Sequence, residues 1–152
     1  MDKKIVVKIA AGLGNQMFMY ANAFSLAKRF GYKLLIDNTS GFFQAKNRTF
    51  GRTFGLNSFN LSGSLADKSD KYDNYFTHNY KKVIKTLNKF QKNKSFLTDP
   101  IGSYKKTYYA KIDYPLSSTV YLEGYFESEK YFFDLKTELV EEFKVKDTLI
   151  NK

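Results

Sequence analysis

Residues Lys4-Ile5-Val6-Val7-Lys8-Ile9-Ala10-Ala11-Gly12-Leu13-Gly14-Asn15-Gln16 decide the fold. The first seven are β-branched and nearly continuous in apolar character, the pattern of a strand buried on both faces of a parallel sheet. Ala11-Gly12-Leu13-Gly14 reads as a tight turn. Asn15 to Phe30 follows as a helix, and Met17, Phe18, Ala21, Phe24, Leu26 and Ala27 give it a broad apolar surface. Gly31 fits its stop. Lys33-Leu34-Leu35-Ile36-Asp37 is a second strand, which completes one βαβ unit over residues 4–37.

Further along, residues 38–71 read as loops with short pieces of structure, and 94–118 as irregular, broken at Asp99-Pro100 and Tyr114-Pro115. Lys81 to Asn93 is expected to be helical, with Val83, Ile84, Leu87 and Phe90 on its apolar face and lysines opposite. Val120 to Tyr125 reads as a third strand. Ser128 is a fitting N-cap for a helix to about Phe143, with Phe132, Leu135, Leu139 and Phe143 on one side. The fold class expected is α/β: a Rossmann-like parallel sheet flanked by helices.

The 152 residues suit one domain with a substantial core, and 43% hydrophobic with 18% aromatic content excludes a disordered chain. There is no cysteine and a single histidine, which excludes disulfides, thiolate metal sites, cysteine nucleophiles and multi-histidine metal centres. The apolar start is short and interrupted by Lys8, unlike a signal peptide. No apolar run reaches the roughly 20 residues of a membrane span. A cytoplasmic location is expected.

The net charge of +10 is uneven. Residues 79–111 hold nine lysines against one acid, Asp99, whereas 121–147 hold eight acids against four lysines. A Lys-rich surface helix explains the basic segment. Contact with an acidic partner or the inner face of a membrane is the alternative. Nucleic acid is disfavoured, since there are only three arginines and base readout leans on arginine.

A glycine turn between strand and helix is where α/β proteins bind phosphate, because the backbone comes close and the helix offers free N–H groups. Gly12, Leu13, Gly14, Asn15 and Gln16 are therefore the candidate binding residues, with Asn15 as a plain helix cap the structural alternative. Asp37, at the end of the second strand, is a candidate cleft residue or a turn cap. A dinucleotide fingerprint would need glycine where Met17 stands, and no Walker lysine follows the turn. Arg48 and Arg52 are loop residues able to meet an anion. Glu123, Glu127 and Glu129 offer themselves as a general base without a choice among them.

Ala11-Gly12-Leu13-Gly14-Asn15-Gln16-Met17-Phe18-Met19-Tyr20-Ala21 closely resembles the opening motif of the bacterial α-1,2-fucosyltransferases, glycosyltransferase family 11, which runs Gly-Gly-Leu-Gly-Asn-Gln-Met-Phe-Gln-Tyr-Ala. Gly124-Tyr125-Phe126-Glu127-Ser128-Glu129-Lys130-Tyr131-Phe132 is similar to that family's Gly-Tyr-Phe-Gln-Ser/Asp-x-x-Tyr-Phe segment. The resemblance implies the N-terminal Rossmann-like domain of a GT-B type enzyme, spanning residues 1–145, with 146–152 as a frayed or truncated end. It implies transfer of fucose from GDP-fucose to a galactoside acceptor, with inversion and without a metal or other cofactor. It also places Gly12 to Gln16 beside the donor pyrophosphate. Asp67, Asp70 and Asp73 read as a solvated loop, not a metal-binding Asp-x-Asp. The family's His-x-Arg-Arg-Gly-Asp-Tyr motif does not occur in the sequence, so this chain alone is expected to be inactive.

Overall fold

The structure, a computed structural model, describes residues 2–43, 51–99 and 109–147. Its centre is a parallel sheet of five strands: β1 Lys4–Lys8, β2 Lys33–Asp37, β3 Ser64–Leu65, β4 Lys94–Thr98 and β5 Leu116–Glu123. The strand order is β3-β2-β1-β5-β4. β1 and β2 run in register from Lys4 opposite Lys33 to Lys8 opposite Asp37. The chain thus leaves β1 towards β2 on one side and returns on β5 at the other, which opens a crevice at the carboxyl ends of β1 and β5.

The alternation of β1 divides the core. Ile5 and Val7 face helix α1, Leu13–Phe30, in the larger cluster with Tyr20, Phe24, Ile36 and Leu122. Val6 faces the other way, with Leu35, Phe96 and Tyr121 in a smaller cluster that Ile84 of helix α2, Tyr75–Asn88, touches. Helix α3, Lys136–Glu142, lies beyond α1 and buries Leu139 in the larger cluster.

The α/β parallel architecture read from the sequence is present, and several elements differ. α1 starts at Leu13, so Asn15 lies inside the helix and does not cap it; Gly12 holds the cap position with no side-chain bond. At the other end Gly31 adopts φ 68°, as a helix stop requires. β4, read as irregular, is a strand because Asn88 fastens it to α2: its side chain accepts from the N–H groups of Ser95 and Phe96 and donates to the Phe96 carbonyl. Instead of one helix from Ser128, there are two 3-10 turns, Glu129–Tyr131 and Phe133–Leu135, before α3. Phe132 breaks the helix with φ −139° and sets its ring 5.9 Å from Phe18 on α1, so tertiary packing overrides the local periodicity.

The largest correction concerns α2. It begins at Tyr75, capped by a reciprocal pair of bonds between Asn74 and Thr77. It ends at Asn88, not Asn93, and the face read as apolar is split: Val83, Leu87 and Phe90 face solvent, whereas Lys81, read on the lysine side, is buried. At the far end, the Val145 backbone bridges to Phe59 and the Lys146 N–H donates to the Ser58 carbonyl.

Candidate functional site: the glycine turn at the sheet edge

The crevice starts where β1 ends. Ala11 takes φ 62°, a left-handed conformation that favours glycine. That twist turns the chain from strand into α1. The first helical hydrogen bond runs from the Gln16 N–H to the Gly12 carbonyl, 3.0 Å. The N–H groups of Leu13, Gly14 and Asn15 therefore precede the helical ladder and have no acceptor within the helix, at its positive dipole end.

Gln16 is buried and has a different part. Its Nε2 donates to the Ala11 and Thr53 carbonyls, 2.9 Å each, and its Oε1 accepts from the Gly55 N–H, 2.9 Å. The amide is fully occupied by backbone. Its effect is to clamp segment 53–55 onto the turn. That clamp brings Arg52 against Gly12: a methyl group placed on Gly12 would stand 3.1 Å from the Arg52 Nη1. Sequence spacing ranks Arg52 as loop surface, because nothing local reveals that a buried amide 36 positions earlier anchors the segment beside it. Arg48 lies outside the described residues.

Asp37 is fully buried. Its Oδ1 accepts from the Thr39 and Ser40 N–H groups, 3.1 and 3.0 Å, and its Oδ2 accepts from the Tyr121 hydroxyl, 2.6 Å. It is a turn cap that shapes the crevice edge and does not line it, because no carboxylate surface is left exposed. Burial, then the charge of Asp37, pushes the Tyr121 phenol far upward, which keeps it a neutral donor. Beyond that turn lies a cavity of about 420 Å³ lined by Asn38, Phe42, Phe43, Arg52, Phe54 and Asp73 among others.

On the other side of β1 stands a charge cluster that sequence reading misses, since its members come from three elements. Lys8 Nζ lies 2.9 Å from Glu123 Oε1, and Lys81 and Lys85 lie 3.3 and 3.2 Å from Oε2. Burial works to raise the Glu123 carboxyl, but the three ammonium groups outweigh it and hold it at about 2. So low a value makes Glu123 a poor general base. Glu127 is exposed, and Glu129 is exposed and paired with Lys136 at 2.8 Å. His78, on α2, is lowered by partial burial and by Lys81 and Lys82. Asp70 pairs with Lys4 at 2.7 Å and Asp73 accepts from Thr39 at 2.9 Å. Among the described residues no group of three or more His, Asp or Glu is placed to hold a metal ion.

The second sequence motif has a structural reason. Gly124, at φ 155°, packs so closely on Asp99 that a side chain would meet its Cβ at 2.3 Å. Phe126 takes φ 52°, is buried, and donates its N–H to Asp99 Oδ2 at 2.8 Å.

Comparison with curated proteins finds relatives in sequence. An α-1,2-colitosyltransferase of Escherichia coli is 29% identical over 143 residues, covering 91% of this chain and 44% of the relative. The chain is related in sequence to glycosyltransferases. A second such relative, the E. coli O-antigen biosynthesis glycosyltransferase WbnK, is 34% identical over 86 residues, covering 55% of this chain and 26% of its own length. The chain therefore spans less than half the length of these glycosyltransferases. No protein-family model matches. Among solved structures, the NodZ α-1,6-fucosyltransferase soaked with GDP-fucose aligns with 99% of the chain and 53% of its own, at 13% identity and a TM-score of 0.44.

Proposed function

We propose that this chain forms the N-terminal, GT-B type domain of a transferase that moves fucose from GDP-fucose to a galactoside hydroxyl with inversion. The observation that carries the reading is the pairing of α1's free N–H groups with the Arg52 guanidinium. Loss of GDP leaves negative charge on the diphosphate. Helix-end donors and a cation held in place beforehand stabilise that charge without a metal. Gly12, without a side chain, lets the Arg52 guanidinium come up against the turn, and Gln16 positions the segment that carries Arg52. In the adjoining cavity the Phe42 and Phe43 rings, with Asn38 and Asp73, suit the apolar face and hydroxyl edge of a pyranose. The relatives' names support transfer of a sugar; fucose and the galactoside rest on the motif resemblance.

Calorimetric titration of GDP into the purified chain tests this. Binding should weaken about tenfold in Arg52→Ala, the loss of one charge-assisted contact. An absence of GDP binding, or binding indifferent to Arg52, would count against the donor site. Residues 1–152 alone should show no transfer from GDP-fucose to lactose above a no-protein control, since the His-x-Arg-Arg-Gly-Asp-Tyr motif is not among them. Turnover above that control would sink this part.

The alternative is a binding module that meets an acidic partner or the inner face of a membrane through the basic 81–111 segment. It is favoured by the exposed side of α2, and such contact is compatible with sugar transfer.

A further inference from the structure

Helix α2 carries an apolar row that the fold leaves uncovered. Phe76, Tyr80, Val83 and Leu87 are spaced four, three and four apart, so they lie along one side of the helix, and Phe90 follows in the turn just past its end. Their exposures are 83, 62, 53, 54 and 85%. Tyr75 beside them is 72% exposed. A contiguous row of this kind marks an interaction site, whereas single exposed apolar residues need no explanation.

The helix is held firmly with this row outward. On its inner side Ile84 packs on the core cluster of Val6 and Phe96. Lys81 reaches Glu123, and Asn88 is bonded to β4. Lys94 folds back and donates to the carbonyls of Asn88 and Gln91, 3.0 and 2.7 Å, closing the helix end. Turning the apolar row inward would break all of these.

Charge decides the partner. From Asn74 to Thr98 there are six lysines and no acid. Lys81 and Lys85 are used by Glu123, and Lys94 by the helix end. Lys82, Lys89 and Lys92 remain exposed. Lys82 and Lys89 are seven apart and form a row parallel to the apolar one. A second copy of the chain would bring two such lysine rows together and repel. An acidic protein surface would satisfy the lysines and leave the aromatic rings without a use. An anionic bilayer satisfies both, since rings and aliphatic chains enter the headgroup boundary while ammonium groups stay among lipid phosphates.

We propose that α2 lies in the surface of an anionic lipid bilayer, with Phe76, Tyr80, Val83, Leu87 and Phe90 inserted and Lys82, Lys89 and Lys92 against the headgroups. This is attachment, not spanning: among the described residues no helix is long and apolar enough to cross a membrane. The inference does not depend on the donor-site reading.

Co-sedimentation of the full chain with phosphatidylcholine vesicles, with and without about 30 mol% phosphatidylglycerol, tests it. Binding should need the anionic lipid and fall steeply as salt is raised. Phe76→Ser combined with Phe90→Ser should reduce vesicle binding about tenfold, while the thermal midpoint and GDP titration stay as in the parent. Lys82→Glu with Lys89→Glu should remove the salt dependence. Four results would overturn the proposal: no sedimentation with anionic vesicles, equal binding to neutral ones, binding unaffected by the aromatic substitutions, or capture by an acidic polypeptide without vesicle binding. A dimer in ultracentrifugation that disperses in the Phe76/Phe90 variant, without vesicle binding in the parent, would give the row to a second copy instead.

Discussion

The two faces of the sheet are covered by helices of opposite kinds. α1 buries Met19, Tyr20, Ala21, Ala23, Phe24, Leu26 and Ala27, from nearly its whole circumference. It can do so because it lies between two layers, the sheet on one side and the 129–143 segment on the other. Gln16, Asn22 and Ser25 are buried with those residues, so α1 is enclosed on nearly every side. Among the described residues, α2 packs on the sheet, with Phe43 near His78, and the row from Phe76 to Leu87 stays exposed. It touches the sheet through Ile84, Lys81 and Asn88 and leaves its most apolar row outside. Amphipathic periodicity therefore tells which residues share a face, but not which face the core takes.

The largest expected effect tests that asymmetry with one residue type. Val7→Ala, on the α1 side, should cost about 2–3 kcal/mol in denaturant unfolding, since it opens a cavity in the tighter cluster. Val83→Ala, on the exposed row, should stay within about 0.5 kcal/mol. Equal costs would mean that α2's outer row is covered.

Acid should act on the α2 side first. The Glu123 carboxyl is held well below its ordinary 4.5, at about 2, so its contribution is complete above 4.5 and is lost as pH falls through 2. Glu123→Gln should destabilise at neutral pH, because Lys8, Lys81 and Lys85 would be left without their counter-charge. It should also flatten the loss of stability between pH 4.5 and 2. Urea midpoints across that range check both, and an unchanged slope would remove Glu123 from the account.

Smaller effects sharpen the α1 side. Asn22 and Ser25 are buried in α1, and neither side chain has a hydrogen-bond partner among the described residues. Asn22→Leu should raise stability by about 1 kcal/mol, as a buried amide without partners is replaced by a hydrocarbon of similar size. Ala11→Gly should stabilise by a similar amount, about 1 kcal/mol, since it relieves a left-handed alanine. Thermal melts that move the other way would contradict either reading.

Much of the β1–α1–β2 unit was legible, because continuous β-branched runs and a glycine turn are local signals. Phe132 and the segment around it were not, since their backbone follows the packing of a ring on α1. At the site, Gly12, Leu13 and Gly14 stand where a strand–turn–helix places them. Asp37 was legible as a turn cap, whose Thr39 and Ser40 partners are local, but not as the acceptor of Tyr121, and Gln16 was not legible as a buried anchor, since Thr53 and Gly55 are distant in sequence. Arg52 was legible as a loop cation, but its place beside Gly12 and the gathering of lysines around Glu123 were not, for the same reason. The side of α2 that meets the sheet was not legible either, because it is fixed by Ile84, by Lys81 on Glu123 and by Asn88 on β4, whose partners are on other elements.

The central claim is that the glycine turn, with Arg52 clamped beside it, receives the diphosphate of a nucleotide sugar. Amide NMR of the ¹⁵N-labelled chain during a GDP titration tests it most directly. The account predicts the largest shifts at the N–H groups of Leu13, Gly14 and Asn15, and their loss in Arg52→Ala. Shifts confined to the far side of β1, around Lys8, Lys85 and Glu123, or no shifts at all, would contradict it.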